Sequence, residues 1–307
     1  MSFSLDVKQD LLSIPLKGEE IDKLEIESML RASGEVGIIP VSLSFSSSNI
    51  GIVRRFLTLL KTYYEVDAEI VQRVIDRFDS HNTYTSVIKK GAEVIINDLN
   101  LFKNESKYRA NLNEEKMNAI LRGAFLARGS VNAPQAKSLH LEISLTDGNE
   151  ILFIQHVMNN FELNGRVTKR KNLYVVYIKS KDSITDFLYH VGATLIMEKY
   201  QNELIKKEAI TNAKRGVNLD LANQDRTNNA SREQIKYLMY LKYNFPLETM
   251  DQKLLMVMKV RLEHPDYSLT ELLEVIHEDF EPTLSKSGLN HRLRKLKEMA
   301  EKLKESE

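Results

Sequence analysis

The first two hundred residues contain an internal duplication, which constrains the fold more than any other feature of this sequence. Residues 29–36 are similar to residues 124–131, and Gly34 aligns with Gly129 at an offset of 129 − 34 = 95. Further similar pairs follow at nearby offsets: 64–70 with 161–167, and 84–102 with 174–192. Because repeated segments adopt the same supersecondary structure, we expect two copies of one unit, at about residues 1–105 and 106–205.

Hydrophobic periodicity predicts the elements of each copy. In the second copy an apolar stripe at helical spacing predicts an amphipathic helix, formed by Met117, Ile120, Leu121, Ala124 and Phe125. Alternating apolar residues then predict a half-buried strand, at Leu139, Leu141, Ile143 and Leu145. Each copy is interpreted as an αββαββα unit of an α+β fold. We expect the two sheets side by side, with helices on one face and an open, saddle-like surface on the other.

The C-terminal part of the chain is predicted to be an all-α domain, residues 231–307, that contains a helix-turn-helix at about 268–301. Residues 231–244 are predicted to open this domain as a helix, and an apolar-periodic run over residues 254–262 predicts the next one, which His264 and Pro265 end. Ser268 and Glu271 form a capping box at the start of the next helix. Three short helices with tight connections, the last of them basic, are typical of DNA-binding domains.

The last helix is interpreted as the DNA-recognition helix. Residues 284–297 contain five Lys or Arg and no acid, and an apolar stripe leaves a polar face free. Because such helices read bases with their N-terminal part, the predicted base readers are Lys286, Ser287, Asn290 and His291. The predicted phosphate contacts are Arg294 and Lys295, with Arg292 also in the DNA-binding set. Two alternatives stay open: a solvated basic helix, and partial packing of His291 against Leu269.

Composition narrows the class of protein. The 307 residues carry 43 basic and 43 acidic side chains and no cysteine, which excludes disulfides and thiolate metal sites. No signal peptide and no membrane span is predicted. We expect a cytoplasmic, nucleoid-associated protein without membrane contact and without a cofactor or metal. His140 and Glu142 could ligate a metal, but a polar pair on the solvent face of a strand is favoured.

Residues 206–230 are predicted to be an interdomain linker rich in Asn and Arg. Such a segment suits a polar, partly helical connector. It also suits contact with the DNA backbone, because Asn and Arg bind phosphates and base edges. The candidate backbone contacts are Arg215, Asn218, Asn223 and Arg226. The sequence favours neither the connector nor the DNA-backbone contact over the other.

Residues 121–131 resemble the motif helix of the LAGLIDADG homing endonucleases, and residues 31–34 end a fainter copy. The resemblance implies that the two motif helices pack together at a pseudo-twofold axis, and that a carboxylate before each final glycine holds catalytic metal ions. Those positions are Ser33 and Arg128 here, and neither supplies a carboxylate. We therefore expect no nuclease activity and assign no catalytic residue. Gly34 and Gly129 either cap their helices or permit close packing.

A nuclease-like duplication without its acids, followed by a helix-turn-helix, resembles the WhiA family of bacterial regulators. The resemblance is carried by residues 2–8, 121–134, 139–142 and 285–296, and by the Asn/Arg-rich segment. It implies a sequence-specific protein that binds double-stranded DNA and acts in transcription, cell division, chromosome segregation or sporulation. Two alternatives stay open: an adaptor whose first domain binds a protein such as an RNA polymerase sigma factor, and an active metal-dependent endonuclease.

Overall fold

A computed structural model describes residues 2–66, 68–74, 82–102 and 107–305, with the side chains of residues 73 and 74 left aside. The chain forms two compact units, Met1–Glu208 and Ala209–Glu307.

The first unit has the predicted duplicated αββαββα order, preceded by α1 (Phe3–Leu12). The first copy consists of α2 (Glu19–Ser33), β1 (Gly34–Ile38), β2 (Val41–Ser47), α3 (Ile50–Tyr63), β3 (Ala68–Val74), β4 (Asn82–Ile88) and α4 (Ala92–Asp98). The second consists of α5 (Glu114–Arg128), β5 (Gly129–Val131), β6 (Leu141–Leu145), α6 (Gly148–Asn160), β7 (Arg166–Arg170), β8 (Leu173–Ile178) and α7 (Lys181–Val191). The predicted α+β fold is therefore confirmed.

Each copy contributes its own four-stranded antiparallel sheet. The strand orders are β1-β2-β4-β3 and β5-β6-β8-β7, so the two sheets are topologically equivalent. In β6 the side chains of Leu141, Ile143 and Leu145 are buried and alternate with half-buried polar ones, as the alternation predicted. Apolar residues of the helices cover these faces and form one continuous core in the first unit.

Helices α2 and α5 pack closely against each other, as the motif helices of the resemblance are expected to do. A Cβ added to Gly123 would lie 2.5 Å from the carbonyl oxygen of Glu25. The Ser28 hydroxyl donates a 2.7 Å hydrogen bond to the carbonyl of Ile120. The helices end at Gly34 and Gly129, in extended rather than left-handed backbone. A Cβ at Gly34 would meet the helix's own Leu30 carbonyl at 2.5 Å.

Charged side chains are buried beside this helix crossing. Glu25 of α2 is fully buried and accepts hydrogen bonds from Arg55 of α3, at 2.5 Å, and from Arg122 of α5, at 2.7 Å. Burial alone would raise the pKa of the Glu25 carboxyl, but the two guanidinium groups hold it below its ordinary value. The acid therefore stays ionised and links three helices.

The second unit is helical throughout its described part. It contains most of α8 (Thr194–Asn244), then α9 (Gln252–Glu263), α10 (Leu269–Asp279) and α11 (Lys286–Glu305). The segment predicted as a linker, 206–230, lies entirely within α8, and no turn precedes residue 231. Helix continues there because the segment lacks proline, and its Asn side chains stay exposed instead of capping a new helix.

In the second unit a buried arginine of α9 donates hydrogen bonds to α8 and to the turn that follows α9. Arg261 is only 2% exposed. Its guanidinium donates to the Gln234 side chain at 2.7 Å and to the backbone carbonyl of Tyr267 at 2.5 Å. Because these partners are neutral, burial lowers the pKa of Arg261 below its ordinary value.

Candidate nucleic-acid interface

Helices α10 and α11 form the predicted helix-turn-helix. The capping box is present: the Ser268 hydroxyl accepts from the backbone of Glu271, and the Glu271 carboxylate accepts from the backbone of Ser268. Leu289, Leu293 and Leu296 are buried on one side of α11 and pack into the core of the unit. The opposite side of α11 is left to solvent.

The turn between α10 and α11 is fixed by side chains from both helices. The imidazole of His277 donates to the Leu284 carbonyl at 2.7 Å. The guanidinium of Arg292 makes two hydrogen bonds with Glu281, at 2.7 and 3.1 Å, and holds the pKa of that carboxyl below its usual value. Arg292 therefore orients α11 against the turn. The sequence placed it in the DNA-binding set, for which an unpaired cation was expected, but its guanidinium is already paired with Glu281.

The other six predicted residues of the recognition helix are exposed. They are Lys286, Ser287, Asn290, His291, Arg294 and Lys295. Lys286 donates to the Thr270 hydroxyl of α10 at 3.2 Å, and Arg294 donates to Nδ1 of His291 at 3.1 Å. His291 thus faces solvent beside Arg294, and the alternative of packing against Leu269 is not observed. A base or a phosphate could replace these exposed contacts.

The four candidate backbone contacts of the Asn/Arg-rich segment are also exposed, on the middle of α8. At about 100° per residue, Arg215, Asn218 and Arg226 lie on one face of the helix. Asn223 lies to the side of that face, and its carbonyl accepts from the Thr227 hydroxyl. The two arginines are about 16 Å apart along the axis, since each residue rises about 1.5 Å.

The two positions at which the nuclease resemblance implies carboxylates lie at one pocket of the first unit. Ser33 and Arg128 end α2 and α5, and both line a cavity of about 310 Å³ together with Lys8 of α1. The Ser33 hydroxyl donates to the Ser46 carbonyl at 3.1 Å. Within the described part of the chain, no group of three or more His, Cys, Asp or Glu side chains could hold a metal ion.

Lys8 was not singled out by the sequence interpretation, although the structure places it in this cavity. Its position follows from α1, where Val7 and Leu11 are fully buried and anchor the helix to the core. One charged residue in a segment far from the motif helices gives no pattern that would reveal this proximity.

His140 and Glu142 form a polar pair at 2.7 Å, and Glu142 also accepts from Arg170.

Comparison with protein-family models assigns three parts of the chain. Residues 19–102 match the WhiA N-terminal LAGLIDADG-like domain, residues 117–210 the WhiA LAGLIDADG-like domain, and residues 213–300 the WhiA C-terminal HTH domain. Among helices of the described residues, none is both long and apolar enough to cross a membrane.

Whole-chain relatives agree with these assignments. The chain is 34% identical over 312 residues to "Probable cell division protein WhiA" of Enterococcus faecalis, with 99% of both proteins covered. It is 35% identical over 312 residues to the protein of the same name in Pediococcus pentosaceus, with 99% of this chain and 100% of that one covered. The crystal structure of full-length DUF199/WhiA from Thermatoga maritima has the same fold, with a TM-score of 0.63, 24% identity and 98% and 99% coverage. The duplicated nuclease-like unit, the helix-turn-helix and these full-length matches together show that the chain belongs to the WhiA family.

Proposed function

We propose that this protein is a sequence-specific regulator that binds double-stranded DNA through α11. The observation that carries the proposal is the face of α11 opposite its leucine stripe, where basic and amide side chains are exposed together. Such a face fits a major groove, with its N-terminal residues against base edges. Because relatives are named cell division proteins, we place its role in cell division. The family resemblance adds chromosome segregation and sporulation as alternatives.

The roles within the interface divide by position and by existing partners. Asn290 and His291 lie in the N-terminal half of α11 and are proposed base readers, together with Lys286 and Ser287. Arg294 and Lys295, one turn further on, are proposed phosphate contacts. Arg292 is proposed to act indirectly, because Glu281 already occupies its guanidinium. The exposed face of α8 with Arg215 and Arg226 would extend the backbone contacts.

The test compares one proposed base reader with one proposed phosphate contact. A binding duplex is first selected from random sequences, and the variants are titrated against it and against a scrambled duplex at several salt concentrations. Asn290→Ala should cost about 1–3 kcal/mol on the selected duplex and little on the scrambled one. Lys295→Ala should weaken both alike and lower the salt slope by about one. The proposal fails if both variants match the wild type on both duplexes.

We also propose that the first unit does not cleave DNA. Two-metal hydrolysis of a phosphodiester needs anionic oxygens at the helix ends, where this chain has Ser33 and Arg128. The remaining acid nearby in sequence, Glu35, is exposed on β1. Plasmid and linear duplexes should therefore stay intact with Mg²⁺ or Mn²⁺. Cleavage that disappeared in Glu35→Gln would contradict this proposal.

A further inference from the structure

The pocket lined by Ser33 and Arg128 holds two cations that lack a carboxylate partner among the described residues. Lys8 enters from α1 and is half-buried, whereas Arg128 is exposed at the end of α5. The Lys8 ammonium lies 5.8 Å from the centroid of the buried Phe125 ring. Neither side chain makes a hydrogen bond or ion pair with another described residue. Two like charges at one cavity repel each other, and an anion bound between them would relieve that repulsion.

The rest of the lining supplies neutral hydrogen-bonding groups. Ser46, Ser47, Ser48 and Asn49 line the pocket where β2 passes into α3. Asn49 caps α3 through its side chain, which accepts from the backbone of Gly51 at 2.8 Å. Asn49 and Ile52, at the start of α3, both line the cavity, so the positive end of this helix dipole lies at the pocket with the two cations. No acidic side chain lines the pocket within the described residues.

We propose that this pocket is a phosphate-binding site, in which Lys8 and Arg128 pair with the phosphate and the hydroxyls of Ser47 and Ser48 complete its hydrogen bonds. Here the protein itself carries the positive charge, so phosphate binds without a metal. The cavity, about 310 Å³, is at the lower end of the range for small-molecule pockets, about 300–1,000 Å³. The phosphate belongs to a small phosphorylated compound or to a DNA backbone.

The first experiment titrates inorganic phosphate, at constant ionic strength maintained with chloride, into the full chain labelled with ¹³C at lysine. The Lys8→Met variant identifies the Lys8 Cε resonance by its loss. We expect a saturable shift of that resonance and a rise in the pKa of Lys8, since a bound anion favours the charged ammonium. Arg128→Ser should weaken phosphate binding about tenfold, by removing one of two charged contacts.

Lys61→Met provides the matched control, because Lys61 is exposed at the far end of α3 from the pocket. Phosphate affinity should be unchanged in this variant. Thermal unfolding of each variant verifies that it is folded. Two results would count against phosphate binding: a Lys8 resonance that moves no more with phosphate than with chloride, or one that moves equally in Arg128→Ser. Either result overturns the proposal if duplex DNA also fails to move the resonance.

A second titration uses a short random duplex with a chain carrying both Asn290→Ala and Lys295→Ala, and distinguishes the two sources of phosphate. Movement of the Lys8 resonance at duplex concentrations far below those of inorganic phosphate would assign the site to DNA backbone. Movement with inorganic phosphate alone would assign it to a small phosphorylated compound. Movement with neither overturns the site. The residues tested here belong to the first unit, so this result is independent of whether α11 reads DNA.

Discussion

The motif helices α2 and α5 have the same backbone and opposite charge. Each has 15 residues and passes into a strand at a glycine with φ of −85°. At the offset of 95, Glu27 corresponds to Arg122 (122 − 27 = 95), and Ser33 corresponds to Arg128 (128 − 33 = 95). Shape at the crossing is conserved between the copies because the helices must approach closely, whereas charge needs only to balance within the pair.

The difference in charge explains why the first copy packs against the second copy of the same chain rather than against another first copy. The acids Glu25 and Glu27 come from α2, and Arg122 comes from α5. Two copies of α2 packed together would place two buried Glu25 carboxylates at the crossing without Arg122, which is unfavourable. The charge pattern therefore favours association of copy one with copy two over self-association of either.

The largest expected effect is that of breaking the buried network at the crossing. Glu25→Gln leaves Arg55 and Arg122 without a buried countercharge and should lower the free energy of unfolding by about 3–5 kcal/mol at pH 7. Because the folded-state pKa of Glu25 is lowered, this contribution is complete above its unfolded value and is lost as pH falls through the folded one. Urea denaturation of both proteins at pH 7 and in acid measures the difference.

The control for this prediction is Glu19→Gln, in an acid of the same helix that is 65% exposed and pairs with Lys23. Its effect should stay within about 0.5 kcal/mol, because Glu19 is exposed and the buried Lys23 keeps its ion pair with Asp98. Equal losses from the two variants would show that the buried pairs do not stabilise the crossing.

A smaller effect is expected at equivalent positions of the two helices, Ser28 and Gly123 (123 − 28 = 95). Gly123→Ala would place a Cβ 2.5 Å from the Glu25 carbonyl and 2.9 Å from Cβ of Ser28. The helices must then separate, at a cost of about 1–3 kcal/mol, which better helix propensity partly offsets. Ser28→Ala removes one hydrogen bond and should cost about 1 kcal/mol. Chemical denaturation compares the two, and a larger loss for Ser28→Ala would contradict the close approach.

Sequence periodicity predicted the elements correctly where buried faces repeat regularly, as in α5, β6 and α11. The capping box at Ser268 was predictable because its hydrogen bonds are local in sequence. The contacts of Glu25 and Lys8 were not, because they join helices 30 or more residues apart and show no periodicity. Arg292 illustrates the same limit: its charge suggested DNA contact, but only the fold reveals its pairing with Glu281. For residues 206–230 the sequence suggested a partly helical connector, but it did not indicate that one helix runs through the whole segment, because Asn favours connectors without excluding helix.

At the pocket lined by Lys8 and Arg128, removing a charge should raise the free energy of unfolding rather than lower it. Burial, with the charge of Arg128, lowers the pKa of Lys8 to about 8. Between that value and the unfolded one, near 10.5, the unfolded chain binds more protons, so stability rises with pH across this window. Lys8→Met should therefore stabilise the protein by about 1–2 kcal/mol at pH 7, with the gain disappearing above about pH 10.

Denaturation of wild type and Lys8→Met in phosphate-free buffer at pH 7 and pH 10 measures this gain. Lys61→Met is again the control, with no expected change at either pH. A loss of stability at pH 7 in Lys8→Met would mean that packing of the lysine chain on Phe125 outweighs the cost of its buried charge.

The smallest expected effect separates the two cations of the pocket. Arg128→Ser gives the second copy the residue that the first copy has at position 33, and removes the lesser of the two causes that lower the pKa of Lys8. Burial remains, so in phosphate-free buffer the pKa of Lys8 should rise only part of the way from about 8 toward 10.5. Titration of the Lys8 Cε resonance from pH 6 to 11 measures the rise, and Arg166→Ser, in an exposed arginine of β7, should leave it unchanged. The free energy of unfolding at pH 7 should increase by less than about 1 kcal/mol, because Arg128 is exposed and solvent screens its charge. A Lys8 pKa unchanged by Arg128→Ser would mean that the two cations do not interact. The charge difference between Ser33 at the end of α2 and Arg128 at the end of α5 would then have no effect on Lys8.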